Sequence, residues 1–448
     1  MPTSSATDRL AGGPTASRRA VLRGLAASAV LGLARPAAAA APAAAAAVYF
    51  VPGYAPELAF FRGRPVTEQP AFTRPLPRGY DGPLTLVTRI DEAAGAVRRA
   101  LMPVAGHQIA VAPGAGPALF CSLNGGHFAA FDADALELVA VRRHGDGFIG
   151  GGHAAFLDGG RTCVVVERRA FGPYSGRPED HYGRLVICDG ATLDPLEALS
   201  CFGVAPHEVA ITHDARYAVV ANYGKASWPE GATGEALAEV VEPSLTVIEL
   251  ASGRLVDKAP STGPGLELRH VAAHGLDRVF AIQAQLVAFA AAEQTMSDWD
   301  GVYEADVWSA GPDLGYLPAP LARFDLDRDP PRAAPSITAD ARLMRYGQSI
   351  VYDPVHDQAI ATYPTRHCVV AFDGATGAVR HVLHTDGIGL RQPRGLALHP
   401  DGRHYAVSGY WHDIAVIERG SHRPVPGRAQ HATLFGHSHM TAAAAKRG

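Results

Sequence analysis

The 448-residue chain is 47% hydrophobic and 19% charged, with 48 glycines and 34 prolines, which excludes a disordered or fibrous protein. A formal net charge of -4 argues against a nucleic-acid partner. The five cysteines include no CxxC or CxxCH spacing, so a zinc ribbon, a c-type haem attachment and a disulfide scaffold are also excluded.

Residues 1–46 resemble an export signal. Arg18, Arg19 and Leu22 precede a short apolar run, and the alanine-rich stretch that follows offers small-residue cleavage sites. The apolar run is only about a dozen residues, too short to span ~30 Å of hydrocarbon. We therefore expect export to the periplasm by the twin-arginine pathway, with no membrane span after cleavage. Because that pathway carries folded proteins, the leader is compatible with a metal or cofactor that is loaded before export.

A repeated unit dominates the rest of the chain. Six copies begin with a polar or glycine-rich loop that turns into an alternating apolar strand, and they start at His107, His153, His207, His270, Gln348 and Arg394. Second and third strands follow in each copy, for example TCVVVE and GRLVICD, and most copies continue into a fourth. The spacing is near the ~40–50 residues of a four-stranded propeller blade.

With an upstream partial set, VYFVPGY, LTLVTRID and AVRRALMP, the repeat predicts an all-β fold. The expected fold is a seven-bladed β-propeller of four-stranded antiparallel blades over residues 47–418. We expect strands from both chain ends to complete one blade, which removes an open sheet edge. Residues 419–448 are predicted to form a poorly ordered tail, and the insertion at 286–318 a surface flap.

The leader and the segments GHQIAV, GHAAFLDGGR, GVAPHEVAITHDARYAVVANYG, EPSLTVIELASGRLV and LRHVAA resemble the bacterial family DUF1513, related to YVTN-like, quinoprotein-type propellers. The resemblance covers roughly residues 45–418. The loop after Asn222, the stretch at 54–80 and the insertion at 286–318 depart from the family pattern. The resemblance implies a periplasmic role beside iron-uptake components, but it supplies no activity and no catalytic residues.

Four histidines share one position of the repeat, so a closed ring would bring their imidazoles to one channel mouth. They are His107, His153, His207 and His270. Imidazole is a common ligand of Fe, Cu and Zn, so these residues are candidate metal ligands. Gln348 and Arg394 fill the same position in the next two blades, where Arg394 could hold an anion; Glu167 and Asn222 end second strands and could orient the histidines. The alternative is that the histidines bond the backbone of neighbouring blades.

Three function classes follow, and the sequence leaves open whether the protein is an enzyme. The first is a monomeric metal-handling or ligand-binding propeller, and the second is an interaction platform without a small-molecule site. The third is a propeller enzyme, either a lactonase-like hydrolase or a metal-dependent oxidoreductase. The tail motif GHSHM, with His437 and His439, could chelate a metal as a mobile arm, but the favoured interpretation is a solvated tail.

Overall fold

The computed structural model describes residues 46–445, apart from 54–59, 62–63, 79, 114–115, 171, 228–238, 287–315, 327–331, 337–340, 410–413 and 429–438. The predicted leader and most of the predicted flap lie outside these residues. No helix in the described part of the chain is both long and apolar enough to cross a bilayer.

Seven antiparallel sheets form the predicted propeller, and we number them as blades 1–7 around the ring. From the innermost strand outwards, blade 1 consists of Thr441–Ala444, Ala47–Gly53, Thr85–Asp91 and Ala96–Met102. Blade 2 consists of Gly106–Val111, Pro117–Ser122, His127–Asp132 and Leu138–Arg143. Blade 3 consists of Phe148–Leu157, Thr162–Arg169, Tyr182–Asp189 and Pro195–Val204.

The remaining blades repeat this order. Blade 4 consists of Pro206–Ile211, Tyr217–Asn222, Ser244–Glu249 and Arg254–Pro260. Blade 5 consists of Glu267–Ala273, Val279–Leu286, Ala322–Asp325 and Arg332–Pro335. Blade 6 consists of Ser349–Asp353, Gln358–Tyr363, Cys368–Asp373 and Val379–His384. Blade 7 has the strands Gly395–Leu398, His404–Ser408 and Ile414–Glu418, and a bridge from Ile417 to Pro424 occupies the fourth position.

Short elements decorate the loops between these strands. Two small hairpins pair Phe60–Phe61 with Arg64–Pro65 and Lys225–Ser227 with Glu239–Val240, and Tyr316–Leu317 extends the second strand of blade 5. The described 3-10 turns are Val66–Glu68, Asp158–Gly160, Pro178–His181, Ala341–Leu343, Pro364–Arg366 and Asp386–Ile388.

Strand Thr441–Ala444, which we call the closing strand, corrects the expectation of a poorly ordered tail. It pairs with Ala47–Phe50, so the last strand of the chain becomes the innermost strand of blade 1. This confirms that strands from the two chain ends complete one blade. The tail was misjudged because, after Thr441, the segment TAAAA contains only alanines, which have little strand preference, whereas here the pairing and burial come from the ring around it.

The core is a ring of apolar clusters between neighbouring blades. Phe50 and Phe131 pack between blades 1 and 2, and equivalent clusters join each later pair of blades. The last cluster joins blades 7 and 1 through Tyr49, Ile414 and Met440. Since every blade buries both faces, the inner strands are held rigidly around the axis. All five cysteines are buried free thiols within these sheets.

Candidate functional site

Five histidine side chains meet where the inner strands of blades 1–5 begin. We call His107, His153, His207, His270 and His439 the histidine cluster. Ring centroids lie 4.5 Å apart for His107 and His439, 4.7 Å for His153 and His207, and 4.9 Å for His207 and His270. Every member is at most 7% exposed. The four histidines that the repeat singled out therefore lie together, and a fifth joins them.

Irregular pairing of the inner strands aims four of these side chains at the axis. The register between first and second strands shifts at Gly106/Gln108, Gly150/Ala154, Pro206/Glu208 and Leu268/Val271. Each shift spans a cluster histidine. A β-bulge redirects a side chain that strict alternation would send between the blades. The repeated bulge therefore explains how rings from different blades reach one point.

A glycine makes room for the rings. Gly152 has a φ of +111°, and a Cβ added there would lie 2.8 Å from Cδ2 of His107 and 2.9 Å from Cε1 of His207. Both the backbone conformation and the close approach require glycine. The GGGH segment thus belongs to the packing of the site.

Hydrogen bonds orient the rings through their Nδ1 atoms. His207 Nδ1 donates to the carbonyl of Gly151 at 2.6 Å, and His270 Nδ1 donates to Glu208 Oε2 at 3.0 Å. Glu208 Oε1 also lies 3.2 Å from His153 Nδ1. A neutral imidazole that donates from Nδ1 presents its Nε2 lone pair on the other side, which is the usual arrangement of a metal-ligating histidine.

Some buried ring nitrogens lack the partners that burial normally demands. Nε2 of His153 and Nε2 of His207 have no hydrogen-bond partner among the described residues. A buried polar atom left unsatisfied costs about 1–3 kcal/mol. A metal ion that accepted their lone pairs would satisfy both atoms.

The ring nitrogen atoms would need to move only slightly closer together to bind one metal ion. His107, His153 and His439 offer nitrogen atoms within 4.8 Å of one another, and so do His153, His207 and His270. Zn–N bonds of about 2.0–2.1 Å place tetrahedral ligand nitrogens about 3.3 Å apart. His439 Nε2 and His107 Nε2 are already 3.0 Å apart. The residues therefore fit a transition metal.

His439 is the member that the repeat did not predict, because it was considered only as part of a mobile or solvated tail. It lies two residues before the closing strand, so it takes in blade 1 nearly the position that His107 takes in blade 2. Ser349 Oγ lies 2.9 Å from its Nδ1 and fixes the ring. The sequence did contain a signal for this position. In GHSHMTAAAA a histidine is followed by a short run of small residues, as in GHQIAVAP.

Burial keeps two of the imidazoles, those of His207 and His270, neutral. Burial lowers the pKa of His207 well below its usual value, and the neighbouring histidines and Arg168 act in the same direction. Burial also lowers the pKa of His270 to about 4, although Glu208 opposes the shift. Burial raises the pKa of Glu208, but its contacts with His153 and His270 outweigh this and hold the pKa at about 2. At neutral pH the site therefore combines the neutral rings of His207 and His270 with the carboxylate of Glu208.

Cationic side chains surround Tyr223, which lies beside the cluster. The ring of Tyr223 lies 4.4 Å from that of His207, and the charged groups of Arg168, Lys225 and Arg269 lie 5.4–5.7 Å from its centroid. Lys225 and Arg269 both contact Glu267, at 2.8 and 2.7 Å. The side of the cluster next to Tyr223 is thus rich in positive charge.

The predicted orienting residues have other contacts. Glu167 binds His144 Nδ1 at 2.9 Å and accepts from Arg184 Nε at 2.7 Å. Asn222 Nδ2 donates to the carbonyl of Ser244 at 3.0 Å, within blade 4. These bonds therefore hold strands and loops, whereas Glu208 contacts the cluster directly. The prediction looked for orienting residues on second strands, whereas the bulged inner strand of blade 4 places Glu208 beside His153 and His270.

Gln348 and Arg394 occupy the matching positions of blades 6 and 7, as predicted from the repeat. Gln348 Nε2 donates to the Gly347 carbonyl at 3.4 Å, and the Arg394 guanidinium carbon lies 5.9 Å from the Tyr346 centroid. Both side chains are buried. Their positions extend the ring of polar groups beyond the five histidines.

A further group of potential ligands is already filled by a cation from the chain. His399, Asp401 and His404 lie close enough to bind a metal. However, the Arg428 guanidinium lies 2.9 Å from His399 Nε2 and 3.4 Å from Asp401 Oδ2. This network therefore ties the end of the chain to blades 1 and 7.

Comparisons with known proteins support the fold. A family model described as "Protein of unknown function (DUF1513)" matches residues 100–440. No curated protein matches the sequence. Among solved structures, the chain is similar to Kuenenia stuttgartiensis hydrazine synthase, with a TM-score of 0.50 and 15% identity over 81% of this chain and 99% of that chain. It is also similar to dihydro-heme d1 dehydrogenase NirN in complex with DHE, with a TM-score of 0.46 and 15% identity over 86% of this chain and 73% of that chain. At 15% identity, the similarity to hydrazine synthase concerns the fold alone.

Proposed function

Because the chain belongs to the DUF1513 family, whose function is unknown, we propose a function from the site itself: the protein binds a divalent transition metal through the histidine cluster. The observation that carries this proposal is the pair of buried, unpartnered Nε2 atoms of His153 and His207 within a group of five imidazoles. An all-imidazole ligand set favours Zn, Cu, Fe or Ni over Mg or Ca.

The test is a double replacement, His207→Ala with His270→Ala, in protein purified from the native compartment and analysed for bound metal. We expect at least a 100-fold loss of affinity, because two of the three ligands in one triad are removed. The matched control is His213→Ala with His274→Ala. These stacked rings follow the inner strands of the same two blades at their opposite ends.

Unchanged metal content both in the folded double variant and in folded His153→Ala protein, which lacks the histidine that the two triads share, would contradict the proposal. A parent protein that carries no metal and takes up none at equilibrium would instead favour an interaction platform. Retained metal in the control variant, with loss in the cluster variant, is the supporting result.

For localisation, we propose export by the twin-arginine leader and action beside periplasmic iron-uptake components. The support is the Arg18–Arg19 pair and the family resemblance. Replacing both arginines with lysine should retain the chain in the cytoplasm, as measured by cell fractionation. A periplasmic product from that variant would contradict the proposed route.

A further inference from the structure

The central channel of the propeller leads to the histidine cluster. A cavity of about 370 Å³ runs along the inner strands, and its walls include Ala210, Ala273, Val351 and Leu398. At the cluster it is bordered by Gln108, His153, Glu208, Ser349 and His439. The walls are thus mostly small and apolar, and the polar atoms gather where the imidazoles lie.

Glu208 is an acidic group that solvent reaches at this end of the channel. Its side chain is 17% exposed, whereas the side chains of His153 and His270, which it contacts, are 1% and 3% exposed. Among the described residues that line the cavity it is the one carboxylate. Glu208 and Ala210 are two residues apart on one strand, so they face the same side. An ion in the channel would therefore pass Ala210 before it meets Glu208.

The cluster can be approached from the channel or from the side next to Tyr223, and these two sides differ in charge. Along the inner strand of blade 5, Arg269 precedes His270, while Val271 and Ala273 follow it into the cavity. Arg269 lies with Arg168 and Lys225 around Tyr223, beside His207. A divalent cation that approached past these groups would meet positive charge, whereas one in the channel would meet a carboxylate.

We propose that the central channel is the route by which a hydrated divalent metal ion reaches the histidine cluster, and that Glu208 is the carboxylate that first takes it up. This inference rests on the proposed metal binding. Glu208 contacts His153 and His270 on the cluster side and the channel on the other. An ion bound to its oxygens is therefore one ligand exchange away from two imidazoles.

The decisive variants narrow the channel without touching a ligand. Ala210→Trp and Ala273→Trp each place a large side chain in the cavity walls, and Ala94→Trp, at an exposed turn in blade 1, is the matched control. Zn²⁺ uptake by metal-free protein and Zn²⁺ removal by a chelator are followed in stopped flow. A barrier on the route slows entry and exit equally, so we expect both rates to fall at least tenfold with the dissociation constant unchanged.

Glu208→Gln tests the uptake step. It keeps the shape of the side chain but removes the charge, so uptake should slow while the channel stays open, and the rate should lose its dependence on ionic strength. Circular dichroism and thermal melting identify variants that fold.

The outcomes separate the two proposals. Parental rates in folded Ala210→Trp or Ala273→Trp protein would overturn the route while leaving metal binding intact. A parent that binds no Zn²⁺ at equilibrium would overturn both. Slower exchange with unchanged affinity in the two channel variants, and parental rates in Ala94→Trp, is the supporting result.

Discussion

Replacing His439 with alanine should uncouple metal binding from closure of the ring. His439 lies two residues before the closing strand, and its Nε2 lies 3.0 Å from that of His107. A metal held by both residues would bind the closed ring more tightly than an open one. By linkage, metal must then stabilise the docked closing strand.

The size of the effect follows from the linkage equation. At a free metal concentration 100 times the dissociation constant, binding stabilises the closed state by about 2.7 kcal/mol. If the His439→Ala variant binds about 100-fold more weakly, the same metal concentration equals its dissociation constant. The stabilisation then falls to about 0.4 kcal/mol. Amide protection of the closing strand should correspondingly rise about 100-fold with metal in the parent and about twofold in the variant.

Hydrogen exchange measures this protection in the parent and in the variant. It is followed by mass spectrometry on a peptide that covers the closing strand. Ser349→Ala is the graded comparison, because it removes the hydroxyl 2.9 Å from His439 Nδ1 and leaves the ring in place. We expect an intermediate response, since loss of an orienting group weakens metal affinity by about 10–100-fold. Full metal-dependent protection in His439→Ala protein would refute the reasoning.

The other predictions concern packing, pH and the second histidine network. Gly152→Ala should destabilise the fold by more than the ~1 kcal/mol expected for Gly159→Ala, because only a Cβ at residue 152 meets two cluster rings. Urea unfolding measures the free energy of unfolding of the two variants, and equal losses would contradict the prediction. Burial and nearby histidines lower the pKa of His422 to about 4. Between pH 6.5 and 4 the unfolded chain therefore binds a proton that the folded chain does not. The free energy of unfolding falls as pH falls through that window. From pH 7 to 5 the loss from this residue is about 2 kcal/mol, and His422→Gln should remove it from the pH dependence of unfolding. His404→Ala should leave metal stoichiometry unchanged, because Arg428 already lies in that group; loss of metal would assign a site there.

The repeat predicted the blades well because its signals are local. Alternating apolar residues and loops such as DGAT at 189 and 373, where the aspartate accepts hydrogen bonds from following amides, specify strands and turns within a few residues of chain. The closing strand was not predicted as a strand, because its alanines carry little strand preference of their own.

The same distinction holds for the site. Sequence alone placed His107, His153, His207 and His270 at one position of the repeat, since equivalent residues of a closed ring face one axis. Only the tertiary structure decided that bulges turn these rings inward until they touch, that Glu208 spans two blades to contact His153 and His270, and that His439 returns from the far end of the chain. Those contacts join residues as many as 332 positions apart, as for His107 and His439. They depend on the closure of the whole ring, which no local pattern encodes.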